Sequence, residues 1–179
     1  AFDLASYDAY GKLYSRPVFE LFGADLLNKD LSEHLDSESS FKGKYPSDYL
    51  VKPAQKIPVW HLVGGLDPID ADELKGNEPD DGYPVLLRDW IRRDGLRCLK
   101  VKLRGTDWDW DFERMKKIGD MALQEGVQCL SADFNCTVND PEYVNSVLDS
   151  IAADCPETFE KILYVEQPFP YELKDNQID

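Results

Sequence analysis

Four short apolar runs, residues 57–63, 98–103, 128–134 and 162–166, alternate with amphipathic stretches at residues 84–93, at 108–125 and from Asp140-Pro141 onward. This alternation leaves few folds open. Short apolar runs read as buried strands, and strands joined through helices run parallel, because a parallel pair needs a crossover connection. Helices then cover the sheet, which gives an α/β layer architecture. The choice lies between a doubly wound sheet and a barrel. No Gly-x-Gly-x-x-Gly follows the first run, so the commonest sign of a dinucleotide fold is missing and the barrel is the expected form.

The helical stretches carry their own marks. Trp108, Phe112, Met115, Gly119 and Ala122 share one face at helical spacing. Asp140-Pro141 offers a capping acid followed by a proline suited to the first turn, and Val144, Val147, Leu148 and Ile151 form the buried side of that helix. Ahead of the alternating region, Phe2, Ala5 and Ala9 predict a helix ending at or shortly after Gly11. A second helix is predicted with Pro17 in its first turn and Gly23 just beyond it. Residues 24–56 are polar and weakly periodic, an excursion with at most one short helix.

Side chains alternate across a strand. Cys98, Lys100 and Lys102 are therefore expected to face one way, with Leu99, Val101 and Leu103 under the helices. By the same rule Ser131, Asp133 and Asn135 share a face, as do Ile162, Tyr164 and Glu166, while Leu130, Ala132, Phe134, Leu163 and Val165 pack under helices. Lys102 to Asp133 is 31 residues and Asp133 to Glu166 is 33, each close to one strand-helix repeat. The three fall at one height on adjacent strands, at the C-terminal rim where parallel barrels build active sites. Strands ~4.8 Å apart let two carboxylates reach one ion. Unpaired carboxylates facing an interior are costly, and a divalent cation removes that cost. Oxygen-only ligation with positions open to water and substrate suits magnesium.

The runs Lys100-Val101-Lys102, Asp133-Phe134-Asn135 and Glu166-Gln167-Pro168 resemble the Lys-x-Lys, Asp-x-Asn and Glu-Gln-Pro motifs of the mandelate racemase and muconate lactonizing enzyme branch of the enolase superfamily. Asp8-Ala9-Tyr10-Gly11-Lys12 and the run from Arg16-Pro17-Val18 to Gly23 resemble the close of that family's capping domain, so the likeness extends over residues 2–170. It implies the first half of a (β/α)-barrel at residues 57–179, preceded by the tail of a capping domain and a polar connection at residues 1–56. It also implies a reaction: removal of the proton beside a substrate carboxylate, with Mg2+ stabilising the enediolate, the pattern known for enolase-type sites. Lys102 would be the base. Lys100, about 6.6 Å along the same face, would hold the carboxylate, and its ammonium together with the metal would lower the Lys102 pKa. Asp133 and Glu166 would be metal ligands, with Asn135 a supporting polar neighbour. The family's third acidic ligand belongs to a fifth strand, so the site is expected to be incomplete in a chain that opens at Ala1 and closes on a polar run at residues 176–179. We expect no turnover from these 179 residues alone.

The reaction classes in view are racemase, epimerase, cycloisomerase and acid-sugar dehydratase, acting on a small-molecule carboxylate in a cytoplasmic homo-oligomer. A glycoside hydrolase-type barrel using Glu166 as acid is the alternative enzyme, and a non-catalytic binding or assembly protein is the alternative outside enzymes. The net charge of −15 argues against a nucleic-acid partner, and no apolar run reaches the ~18 residues of a membrane span. Four cysteines without metal-ligand spacing read as reduced thiols. Seven acids (Asp67, Asp70, Asp72, Glu73, Glu78, Asp80, Asp81) face one Lys75 in the segment after the first strand, read as a solvated loop or a lid. His61 is expected to be structural and His34 solvated, and Trp108, Trp110 and Phe112 to pack along a helix with one ring exposed.

Overall fold

The computed structural model describes residues 2–35, 38–172 and 174; the terminal residues 1 and 176–179 lie outside them. The chain divides into two compact units, residues 1–56 and 57–179.

In the first unit, helix α1 (Phe2–Tyr14) runs one turn past Gly11, which is buried beside Arg16 O. The helix expected after Pro17 is a single 3-10 turn, Val18–Leu21, with Pro17 just before it in an extended conformation. Residues 24–56 hold more helical structure than expected: 3-10 turns at Leu31–Glu33 and Pro46–Tyr49, and a one-turn helix α2 (Glu38–Phe41). These turns are fixed by side chains in place of an apolar face. Asp30 accepts from Ser32 N and Gly43 N, and Asp48 accepts from Tyr45 N. Local acids that bond nearby backbone N–H groups make turns without periodicity.

The second unit is a four-stranded sheet, β1 (Trp60–Val63), β2 (Cys98–Lys102), β3 (Cys129–Asp133) and β4 (Ile162–Glu166), parallel throughout and ordered β1-β2-β3-β4. The connections carry α3 (Leu87–Asp94), α4 (Trp108–Gln124), α5 (Pro141–Asp154) and the one-turn α6 (Pro156–Phe159). β1 begins three residues later than its apolar run, because Pro58 has no N–H to give a ladder. α3 stops where Gly95 takes a left-handed conformation (φ 62°) and Leu96 N bonds back to Ile91 O. α4 opens on Asp107, whose carboxylate accepts from Trp110 N, and α5 on Asp140, which accepts from Glu142 N.

One face of the sheet is closed by helices. Leu99, Val101, Leu130, Ala132 and Phe134 are buried there with Phe112, Met115, Ile118, Val144, Val147 and Ile151. The opposite face carries Cys98, Lys100, Lys102, Ser131, Asp133, Tyr164 and Glu166. This face is concave: the Trp60 ring on β1 meets the Tyr164 ring on β4 with centroids 5.3 Å apart, although the two strands would lie about 14 Å apart in a flat sheet.

A bulge in β4 corrects part of the expected alternation. Leu130 pairs with Ile162 but Ser131 with Tyr164, so Leu163 is an extra residue. Ile162 accordingly packs with Val165 on the helical side. Leu163, expected beneath helices, is 65% exposed. Beyond the bulge Asp133 lies opposite Glu166. With the earlier register carried through, Asp133 would face Val165 instead. Leaving Leu163 out of the pairing thus turns the Glu166 carboxylate onto the concave face, an effect bulges have near sites.

Candidate active site

Lys102, Asp133 and Glu166 are register partners across β2, β3 and β4. Lys100 Nζ donates to Asp133 Oδ2 at 2.9 Å and to Glu166 Oε1 at 2.6 Å, spanning two strands to reach the second. Lys102 Nζ donates to the same Asp133 oxygen at 2.5 Å and to Asn135 Oδ1 at 2.5 Å. Two ammoniums, two carboxylates and one amide therefore form a single cluster. The carboxylates, expected to lack partners, are neutralised by the lysines beside them.

Asp133 is 2% exposed. Burial pushes its carboxyl up, but bonds from Lys102, Lys100 and the Asn135 N–H together outweigh burial and hold it below the ordinary carboxylate range. The bond to Glu166, followed by that to Asp133, raises Lys100 above the usual lysine value. Ser131 Oγ lies buried on this face without a hydrogen-bond partner among the described residues.

The rim is built by backbone held in uncommon conformations. Asn135 and Cys136 take positive φ (56° and 60°), as does Gln167 (35°). Such conformations persist where the surroundings fix them. Asn135 N donates to Asp133 Oδ1, and Asn135 Nδ2 to Leu103 O at 2.9 Å. Cys136 N and Val138 N donate to Gln167 O and Pro168 O, joining the loops after β3 and β4. Asn135 is thereby aimed at Lys102 by two residues, Leu103 and Asp133.

Two helix residues that the sequence pattern did not single out hold the neighbouring loops. Asp111 in the first turn of α4 is fully buried and accepts from Arg104 N (2.7 Å), Gly105 N (2.8 Å) and Tyr143 Oη (2.7 Å). Arg114, one turn on, is buried and donates to Gly64 O and to Asp67 O in the loop after β1; burial lowers its pKa. An acid in a first helical turn ordinarily reads as a partner of the helix dipole, so burial was the missing information.

The acidic loop is used mostly on itself. Asp67 accepts from Gly64 N, Glu78 from Lys75 N and Gly76 N, and Asp81 from Tyr83 N. Asp70, Asp72 and Glu73 bring ligand oxygens within 4.8 Å of one another, the one such group of three among the described residues. Lys117 already pairs with Asp70 at 2.8 Å and with Glu73. His61 lies against Trp90 with ring centroids 5.4 Å apart; burial lowers its pKa. Together they line a cavity of about 520 Å³ with Tyr83 and Pro84, to which the lysine–carboxylate cluster contributes no residue. His34 is exposed. Trp108 stacks on Phe112 and Trp110 is half-buried under Arg104, so none of these three rings is exposed.

Comparisons with protein-family models, curated proteins and solved structures returned no match. What the geometry defines on its own is a mixed α/β unit with a parallel sheet whose concave face carries a compact charged cluster. Among the described residues no helix is long and apolar enough to cross a membrane.

Proposed function

We propose that the chain contributes the first four strands of an enolase-superfamily barrel, in a protein that abstracts the proton beside a substrate carboxylate with the help of Mg2+. The observation that carries this reading is the convergence of Asp133 Oδ2 and Glu166 Oε1 on one cation, the Lys100 ammonium, at 2.9 and 2.6 Å. Asp133 and Glu166, which already meet at one cation, would hold the metal ion, and two hard oxygen donors suit magnesium. No third acid, His or Cys joins these two among the described residues. The concavity shown by the Trp60–Tyr164 contact supports closure into a barrel, since closing a sheet requires such curvature.

Magnesium, when bound, supplies Lewis-acid stabilisation of charge on the substrate carboxylate. The remaining work belongs to the side chains. Released from Asp133 and Glu166, Lys100 keeps its charge and pairs with the substrate carboxylate. Lys102, still held by Asn135 Oδ1, would give up its own proton to water and then accept the one beside that carboxylate. Asn135 is a positioning residue, its amide Nδ2 donating to Leu103 O and Asp133 O.

The test uses the full-length protein carrying this sequence. Calorimetric titration with MgCl2 is expected to show binding that Asp133→Asn and Glu166→Gln each weaken at least tenfold. A panel of 2-hydroxy acids and sugar acids in D2O is expected to include one whose α-proton exchanges only with Mg2+ and only with Lys102 present. Absence of Mg2+ binding, with and without those acids, overturns the proposal.

A further inference from the structure

Beneath the charged cluster, on the same concave face, lie two thiols that this reaction does not use. Cys98 and Cys129 are register partners on β2 and β3, one alternation below Lys100 and Ser131. Both side chains belong to the face of Lys100, Lys102 and Asp133, side by side across the strand pair. Residues opposite each other on neighbouring parallel strands have Cα atoms about 4.8 Å apart, inside the roughly 4.4–6.8 Å that a disulfide spans. Their exposure differs: Cys98 is buried and Cys129 half-buried. Cys136 and Cys155 have no cysteine neighbour of this kind; Cys136 Sγ faces Gln167 Oε1, and Cys155 caps the end of α5.

We propose that Cys98 and Cys129 form a thiol–disulfide exchange site that closes to a cross-strand cystine when it meets a small-molecule disulfide such as oxidised glutathione. The half-buried Cys129, as thiolate, attacks one sulfur of oxidised glutathione and expels glutathione thiolate. The Cys98 sulfur then attacks Cys129 Sγ of the mixed disulfide, expels the second glutathione and gives up its proton. Two protein thiols become one S–S bond, and the two electrons reside on two reduced glutathiones. The order of attack follows from burial: apolar surroundings, followed by the neighbouring Cys129, push the Cys98 thiol up and leave it a poor first nucleophile.

Geometry also sets the character of the bond. Side chains standing side by side on parallel strands leave Cβ atoms near the strand spacing of about 4.8 Å, against about 3.8 Å in a relaxed disulfide. Closure draws β2 and β3 together at this rung, and a strained bond of this kind is readily reduced again. The rung lies two residues below Lys100, so oxidation would shift the strand pair that sets the Lys100–Asp133 and Lys102–Asp133 contacts. The exchange chemistry stands whether or not the proposed reaction does.

The test is made on the full-length protein under native conditions, equilibrated with oxidised and reduced glutathione at several ratios, quenched with an alkylating agent and digested without reduction. We expect loss of two thiols, a peptide joining Cys98 to Cys129, and full reversal as reduced glutathione is raised. In Cys98→Ser the reaction is expected to stop at a glutathione adduct on Cys129, and in Cys129→Ser position 98 is expected to stay unmodified. The wild-type digest decides the matter alone if a variant folds poorly. A stable glutathione adduct on wild-type Cys129, a link between any other pair, or no reaction at ratios that oxidise a reference dithiol overturns the proposal.

Discussion

Replacing Asp111 by Ala tests the claim that a buried carboxylate, not apolar packing, fixes the loop between Lys102 and α4. The side chain is fully buried and accepts three hydrogen bonds, from Arg104 N, Gly105 N and Tyr143 Oη. Bonds to a charged group contribute about 1.5–3 kcal/mol each, and buried donors left unpaired lose more than the bond itself. Water entering the space left by the carboxylate restores some of this, so the net loss is set at about 3–5 kcal/mol. Tyr143→Phe removes one of the three bonds and should cost about 1–2 kcal/mol. Because the two residues touch, the double variant should be less destabilised than the sum of the singles by about 1–2 kcal/mol. All four tryptophans (Trp60, Trp90, Trp108 and Trp110) lie in residues 57–179, so urea unfolding followed by intrinsic fluorescence reports this unit. With a slope of about 1–3 kcal/mol per molar urea, Asp111→Ala should lower the midpoint by roughly 2 M. A loss below about 1 kcal/mol, or strict additivity in the cycle, would refute the argument that these bonds are what hold the loop.

Gly119 faces Thr158, and an added Cβ would lie 2.8 Å from Thr158 Cβ and closer still to its outer atoms; Gly119→Ala should therefore destabilise by about 1–3 kcal/mol, with Thr158→Ala recovering part of the loss in thermal melts. Tyr143 is raised above the ordinary tyrosine value by burial and then by its bond to Asp111. Its neutral form is favoured in the folded state, so stability is fully present below pH ~10 and falls as pH rises beyond it, where only the unfolded chain ionises. Urea midpoints between pH ~9 and ~11 should fall less steeply in Tyr143→Phe than in the native protein. A slope unchanged by that substitution removes Tyr143 as the cause.

Much of the second unit could be read from periodicity because burial there is regular. Leu99 and Val101, or Val144, Val147 and Ile151, occupy positions where a period of two or 3.6 meets one continuous core. The parallel order and the common height of Lys102, Asp133 and Glu166 followed from strand alternation and repeat length. What escaped depends on single contacts. Strand pattern gave no sign that Leu163 is an extra residue, since an apolar residue in an apolar run carries no mark of a bulge. The burial of Asp111 and Arg114 arises from backbone groups of other segments, which no local spacing encodes. The first unit was least legible: its turns rest on Asp30 and Asp48 bonding nearby N–H groups, a pattern shared with ordinary polar loops. The pairing of Asp133 and Glu166 with two lysines is likewise a matter of rotamers, which sequence leaves open.

The bulge at Leu163 splits β4 into two reading frames. Upstream, Ile162 is in the frame of the helix-covered side, in step with Leu130; downstream, Tyr164 and Glu166 are counted in the frame of the open side, in step with Ser131 and Asp133. Strand residues are usually bound by parity, so that a change of one position exchanges everything inside for everything outside. Here parity is reset midway, and the two halves answer to different demands. Substitutions at Ile162 are judged by core packing and those at Glu166 by charge. Drawing Leu163 into the ladder, with no change of composition at all, would exchange Glu166 for Val165 opposite Asp133.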